Sequence, residues 1–183
     1  MSKKVYVFLA EGFEEIEAIS PIDILRRAEC DVVTVSITGN KTVTGAQAIP
    51  VVADSLFEDH DYSDADAVFL PGGLPGAHNL NAHEGLKSLI KSLYEQGKVV
   101  SAVCAAPLVL GGLGLLKGIK ATCYPGFENE LLGADVTGKQ CEVSGNIITG
   151  NGPGAAAKLG YALVAKLVSQ EVADQWEKGM MFA

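Results

Sequence analysis

Basic side chains are scarce in this sequence. Its 14 Lys and Arg stand against 22 Asp and Glu, a formal net charge of −8. Such a chain lacks the electropositive footprint that a nucleic-acid backbone or an anionic membrane face requires, so neither is expected as a partner. Histidine is scarcer still. His60, His78 and His83 are the whole set, and none lies at metal-ligand spacing with two cysteines. Neither a metal nor a cofactor is expected. No Gly-Lys-Ser/Thr follows the glycine loop at Gly150–Gly154, which excludes a phosphate loop. Pro/Ser-rich linkers, low-complexity tracts and internal repeats are all missing.

A secretory signal is not expected either. The opening MSKK is followed by six uncharged residues and then Glu11, with no cleavage site. Cys30, Cys104, Cys123 and Cys141 are therefore read as reduced thiols of a cytoplasmic protein rather than as a disulfide framework. One run, Val99–Leu116, carries no charge over 18 residues. Pro107, three glycines, Ser101 and Cys104 interrupt it, so it reads as a buried strand, a sharp turn and a buried helix rather than a membrane span.

What is present is a globular composition: 183 residues, 48% apolar and 20% charged. A chain of this length buries roughly 70% of its unfolded surface, enough for one core. We expect a single domain over residues 1–183. Lys4–Ala10 is a nearly continuous apolar run, as a parallel strand covered on both faces requires. Further strands are expected at Val32–Ile37, Ala67–Leu70, Lys98–Val103 and Lys120–Cys123. A hairpin is expected across Ser144-Gly145-Asn146. Thr42–Val52 looks extended, and Gly45 and Pro50 limit it to a sheet edge or an excursion. Helices are expected at Leu80–Tyr94, Ala105–Leu113, Ala155–Val168 and Gln170–Lys178. Ser20 and Pro21 fit a helix start, with Glu14–Ile19 a separate turn or the first part of a kinked helix. This alternation implies an α/β fold, a flavodoxin-like three-layer sandwich with a mostly parallel central sheet.

Ligands of open α/β sheets bind at the carboxyl ends of strands. Three strand ends carry unusual residues. Cys104 falls where an apolar strand turns straight into a helix among Ala102, Ala105 and Ala106, like a nucleophile elbow. A helix N-terminus facing the sulfur favours thiolate and lowers its pKa. Gly72 and Gly73 allow close backbone approach, and their N–H groups with that of Ala105 fit an oxyanion hole. In the acidic run Glu11, Glu14, Glu15 and Glu17, only Glu17 shares a helical face with Phe13 and Pro21. A carboxyl turned inward there has a raised pKa and can shuttle a proton. His78 is read as a surface turn residue. Cys30, Cys123 and Cys141 are read as structural thiols, and Trp176 and the Met180-Met181 tail as packing or fraying elements.

Taken in order, AEGFEEIEAISPIDILRRA, FLPGG with GAHNL, SAVCAAP and GNGPGAAAKLGYALV span nearly the whole chain and resemble the ThiJ/PfpI superfamily. The resemblance implies a flavodoxin-like fold, a homodimer and a cytoplasmic home. It puts the family's reactive cysteine on Cys104, its acidic partner on Glu17 and its oxyanion-type amides on Gly73 and Ala105. The family's nearby histidine is absent: ATCYP has Tyr124 before Pro125. Tyrosine is a poor base at neutral pH, which counts against a cysteine protease or amidase. The expected function is a cofactor-independent cysteine enzyme acting on small reactive carbonyls, of glyoxalase or deglycase type. The alternative is a redox-sensing stress protein or chaperone whose cysteine oxidises without turnover.

Overall fold

Near-continuous Val, Ile, Leu and Phe runs form the middle of the sheet, because both faces of each central strand are covered. The computed structural model describes residues 2–182. The main strands are β1 (Lys4–Leu9), β2 (Asp31–Ser36), β5 (Ser55–Leu56), β6 (Ala67–Leu70), β7 (Val99–Val103), β10 (Cys141–Ser144) and β11 (Ile147–Gly150). They lie in the order β10-β11-β7-β6-β1-β2-β5, parallel throughout except for the β10–β11 hairpin. From β1 the chain first winds outward to β2 and β5, then crosses back to β6 and β7. The strand order therefore reverses between β1 and β6, where a crevice opens at the carboxyl ends. The fold is the flavodoxin-like sandwich expected from the alternation.

Helices α1 (Glu15–Arg27), α5 (Ala156–Leu167) and α6 (Gln170–Gly179) cover one face through Ile24, Leu25, Leu159, Leu163, Val164 and Ala173. Helices α2 (Gly76–Ala82), α3 (Glu84–Glu95) and α4 (Pro107–Gly112) cover the other through Leu80, Leu86, Ile90, Leu93 and Leu110. Two small pairs lie outside the main sheet. One is the antiparallel β3 (Thr42–Thr44) with β4 (Pro50–Val52), so the extended Thr42–Val52 stretch is an excursion. The other is β8 (Lys120–Ala121) with β9 (Asp135–Val136).

Two helices are decided by the structure. The first begins at Glu15, so of the two readings of Glu14–Ile19 the one that makes it the first part of the helix holds; Pro21 lies inside and offers no N–H to the Glu17 carbonyl. Packing outweighs that lost bond: the backbone of Pro21 and the side chain of Ile24 press on Gly160 of α5. The amphipathic stretch around Leu80–Tyr94 is two helices. They break at His83, whose Nδ1 accepts the Leu86 N–H at 2.9 Å and so caps α3. The uncharged Val99–Leu116 run is the expected strand, turn and helix. No helix among the described residues is long and apolar enough to cross a membrane.

Candidate active site

Cys104 follows the last residue of β7 and adopts φ +62°, a left-handed conformation that costs an ordinary residue about 1–2 kcal/mol. Both its backbone groups are held. Its N–H donates to the Gly150 carbonyl (2.9 Å), and its carbonyl accepts from the Tyr124 N–H (2.8 Å). The small, buried Ala102, Ala105 and Ala106 leave room for this bend. The sharp turn lifts the half-buried Cys104 side chain into the crevice beside the ends of β1 and β6.

From the β1 side, Glu17 arrives on the second half-turn of α1. Although it belongs to an acidic run, it is fully buried, as are Phe13 and Pro21 on the same face. Its Oε2 accepts the Gly72 N–H at 3.0 Å, and the carboxyl lies within hydrogen-bonding reach of the Cys104 thiol. Its Oε1 is buried without a partner. Burial, above all, pushes the Glu17 carboxyl up to about 7; the nearby Glu14 adds to this, and the bonds from Cys104 and Gly72 oppose it.

Gly73, at φ +89°, lies against the backbone of Gly12, Phe13 and Glu14, with no room for a Cβ. Its N–H and that of Ala105 lie near enough to the Cys104 sulfur to draw its pKa down. The two amides expected to form an oxyanion hole thus flank the resting thiol. Gly72 has a different role from the one read in sequence, since its N–H is spent on Glu17.

The state of the sulfur also departs from expectation. Helix α4 starts three residues beyond Cys104 and is six residues long, so its dipole is a weak lever. Burial, then the Glu17 charge, pushes the thiol up to about 12, while the Gly73 and Ala105 amides pull it down. Two buried acids this close keep at least one proton between them at neutral pH. When that proton sits on Glu17, the repelling charge disappears. The sulfur then has two amides and a carboxyl O–H as donors.

The pair opens on a cavity of about 330 Å³, lined among others by Glu14, Gln47, Leu74, Tyr124, Phe127 and Pro153. The sequence reading missed Glu14, Gln47 and Phe127 as site residues. Glu14 carried a signal, since it belongs to the same acidic run one turn before Glu17. Gln47 carried none, because only the β3–β4 excursion brings it there. Tyr124 stands at the mouth, 46% exposed. No histidine lines the cavity. His78 is exposed on α2, as expected. Cys30, Cys123 and Cys141 are free thiols away from the cavity wall, and burial raises all three. Among the described residues, no group of three or more His, Cys, Asp or Glu is placed to hold a metal ion.

The profile of the DJ-1/PfpI family matches residues 3–166. The chain belongs to that family. Protein DJ-1 homolog B of Arabidopsis thaliana is 38% identical over 174 residues, covering 94% of this chain and 40% of the relative. The chain thus spans less than half the length of the Arabidopsis relatives it matches. The Parkinson disease protein 7 homolog of Danio rerio is 33% identical over 177 residues, and 94% of each chain is covered. Among DJ-1/PfpI structures, Toxoplasma gondii DJ-1, described as oxidized, superimposes with a TM-score of 0.94 at 34% identity, covering 98% of each chain.

Proposed function

We propose that this DJ-1/PfpI protein is a cofactor-independent cysteine enzyme that acts on small reactive carbonyls, of glyoxalase or deglycase type. The observation that carries the reading is the pairing of Cys104, bent into the crevice at positive φ, with the fully buried Glu17. Cys104 sulfur adds to the aldehyde carbon of a methylglyoxal-like 2-oxoaldehyde, and its proton passes through Glu17 to the former carbonyl oxygen. The Gly73 and Ala105 amides, which flank the sulfur at rest, are placed to receive the developing oxyanion. From the hemithioacetal, Glu17 takes the proton on C1 and returns it to C2, leaving a thioester. Water then releases the 2-hydroxy acid and restores the thiol, so aldehyde plus water becomes acid with no oxidant.

The test is methylglyoxal consumption by the purified protein beside Cys104→Ser and Glu17→Gln. Turnover should belong to the wild type alone. Equal, slow loss with all three proteins overturns the reading.

A second reading, a redox-sensing stress protein, draws support from the relative described as oxidized. The two amides and a protonated Glu17 supply three donors for a sulfinate at Cys104. A gain of two oxygens at Cys104 after mild peroxide, without carbonyl turnover, selects this reading. A protease has less support, because the residue beside the elbow is Tyr124 rather than a histidine.

We also propose a homodimer in the cytoplasm. Ile16 and Ile19 present an outward apolar patch on α1, 54% and 43% exposed. Ile24, on the same helix, is instead fully buried. Light scattering that reports a monomer removes this claim.

A further inference from the structure

The walls of the Cys104 cavity carry charge of one sign. Two of its lining residues are acids, Glu14 and Glu17, and none is Lys, Arg or His. Gln47, exposed on the β3–β4 excursion, is polar but neutral. The Tyr124 side chain stands at the mouth, and the remaining walls around Cys104 are apolar or backbone: Ala46, Gly73, Leu74, Ala105, Phe127 and Pro153. No cation there pairs with a substrate carboxylate or phosphate. Glu17 adds a buried, unpartnered Oε1. An anion entering this space loses water, gains no counter-charge and meets a carboxylate, a combination that costs more as the surroundings become drier. The net charge of −8 adds a repelling field around the mouth.

We propose that this cavity is a charge filter that accepts uncharged or cationic carbonyls and turns anionic ones away, with Glu14 as the residue that sets the preference. Glu14 is suited to this role by position. It is half-buried at the wall, and its backbone N–H is anchored to the Gly72 carbonyl at 2.9 Å. Glu17 is committed to Gly72 and Cys104. The inference deepens the carbonyl-enzyme reading by naming its substrate class: 2-oxoaldehydes without a carboxylate, and aldehyde adducts of amines that keep a positive charge.

Two probes separate the filter from the activity. The first is alkylation of Cys104 by neutral iodoacetamide against anionic iodoacetate, followed by the mass of the Cys104 peptide, at low salt and pH roughly 8, where free carboxyls are ionised. The iodoacetamide preference should exceed that of 2-mercaptoethanol, a neutral free thiol, by about tenfold. Glu14→Gln should cut the excess by about threefold, and salt of about 1 M should narrow it in the wild type. Gln47→Lys, at an exposed position, should speed iodoacetate selectively and serves if Glu14→Gln does not fold. A preference equal to that of 2-mercaptoethanol, or one that neither substitution changes, overturns the filter. The second probe is turnover of methylglyoxal against 4,5-dioxopentanoate, a 2-oxoaldehyde that carries a carboxylate at its far end. Equal consumption of the two overturns the filter while leaving the enzyme standing. No consumption of either overturns the enzyme, and the alkylation ratio still decides the filter.

Discussion

Glu17 and Cys104 meet across Gly72: a Cβ on that glycine would stand 2.6 Å from both Cys104 Cβ and Glu17 Oε2. The pair is therefore close because the residue between them has no side chain. The first turn of α1 and the ends of β6 and β7 supply the three groups, and none is placed by its own element alone.

Gly72→Ala should break the site. The added methyl meets the Val103 carbonyl oxygen at 2.8 Å as well, and backbone there has no room to yield. The expected cost is about 1–3 kcal/mol of stability, as in other overpacked cores, with Cys104 alkylation slowed or lost. Thermal unfolding and peptide mass read the two effects. Unchanged alkylation would mean that the sulfur and the carboxyl do not depend on this close approach.

Glu17 makes stability depend on pH. Its folded pKa, about 7, lies above its ordinary 4.5, so the folded protein holds a proton that the unfolded chain releases. That contribution is fully present below pH 4.5 and is lost as pH rises through about 7. Its upper bound is roughly 3 kcal/mol. Glu17→Gln removes the loss, so the melting temperature of the variant should gain on the wild type between those limits. Parallel melting curves across that window count against a raised Glu17.

Glu15 should act as a clasp. It is buried although it lies in the acidic run, and its Oε1 accepts from the backbone N–H of Gln47 (2.8 Å) and Ile49 (3.4 Å). Glu15→Ala leaves those donors unpaired and should cost about 1–2 kcal/mol. Limited proteolysis should then cut faster between Gly45 and Pro50. An unchanged cleavage rate in the variant refutes the clasp.

Gly160→Val tests the seating of α1. A Cβ at Gly160 would stand 2.9 Å from Ile24 Cδ1 and 3.2 Å from Pro21 Cα, so α5 must back away from α1. The expected loss is about 1–3 kcal/mol with slower carbonyl turnover, because Glu17 rides on α1. Chemical denaturation and methylglyoxal consumption measure the two.

Much of this was legible before folding. Apolar runs marked β1, β6 and β7 because central parallel strands are buried on both faces. Cys104 stood out because a strand met a helix among alanines, and Glu17 because its spacing matched Phe13 and Pro21. The helix start was left open between Glu14 and Pro21, since local propensity cannot show that packing against Gly160 outweighs a missing hydrogen bond. The split at His83 was hidden inside one continuous amphipathic pattern.

Sequence by itself determined the layered α/β architecture and nominated the thiol and its acid, because periodicity and turn residues act over a few neighbouring positions. Only the tertiary structure decided what surrounds the sulfur. It sent the Gly73 and Ala105 amides to the thiol and the Gly72 amide to Glu17. It raised both acids by burial rather than lowering one by a helix dipole, and walled the cavity with Glu14 and Gln47. Those are contacts between residues far apart in the chain, and desolvation exists only once the chain has closed around them.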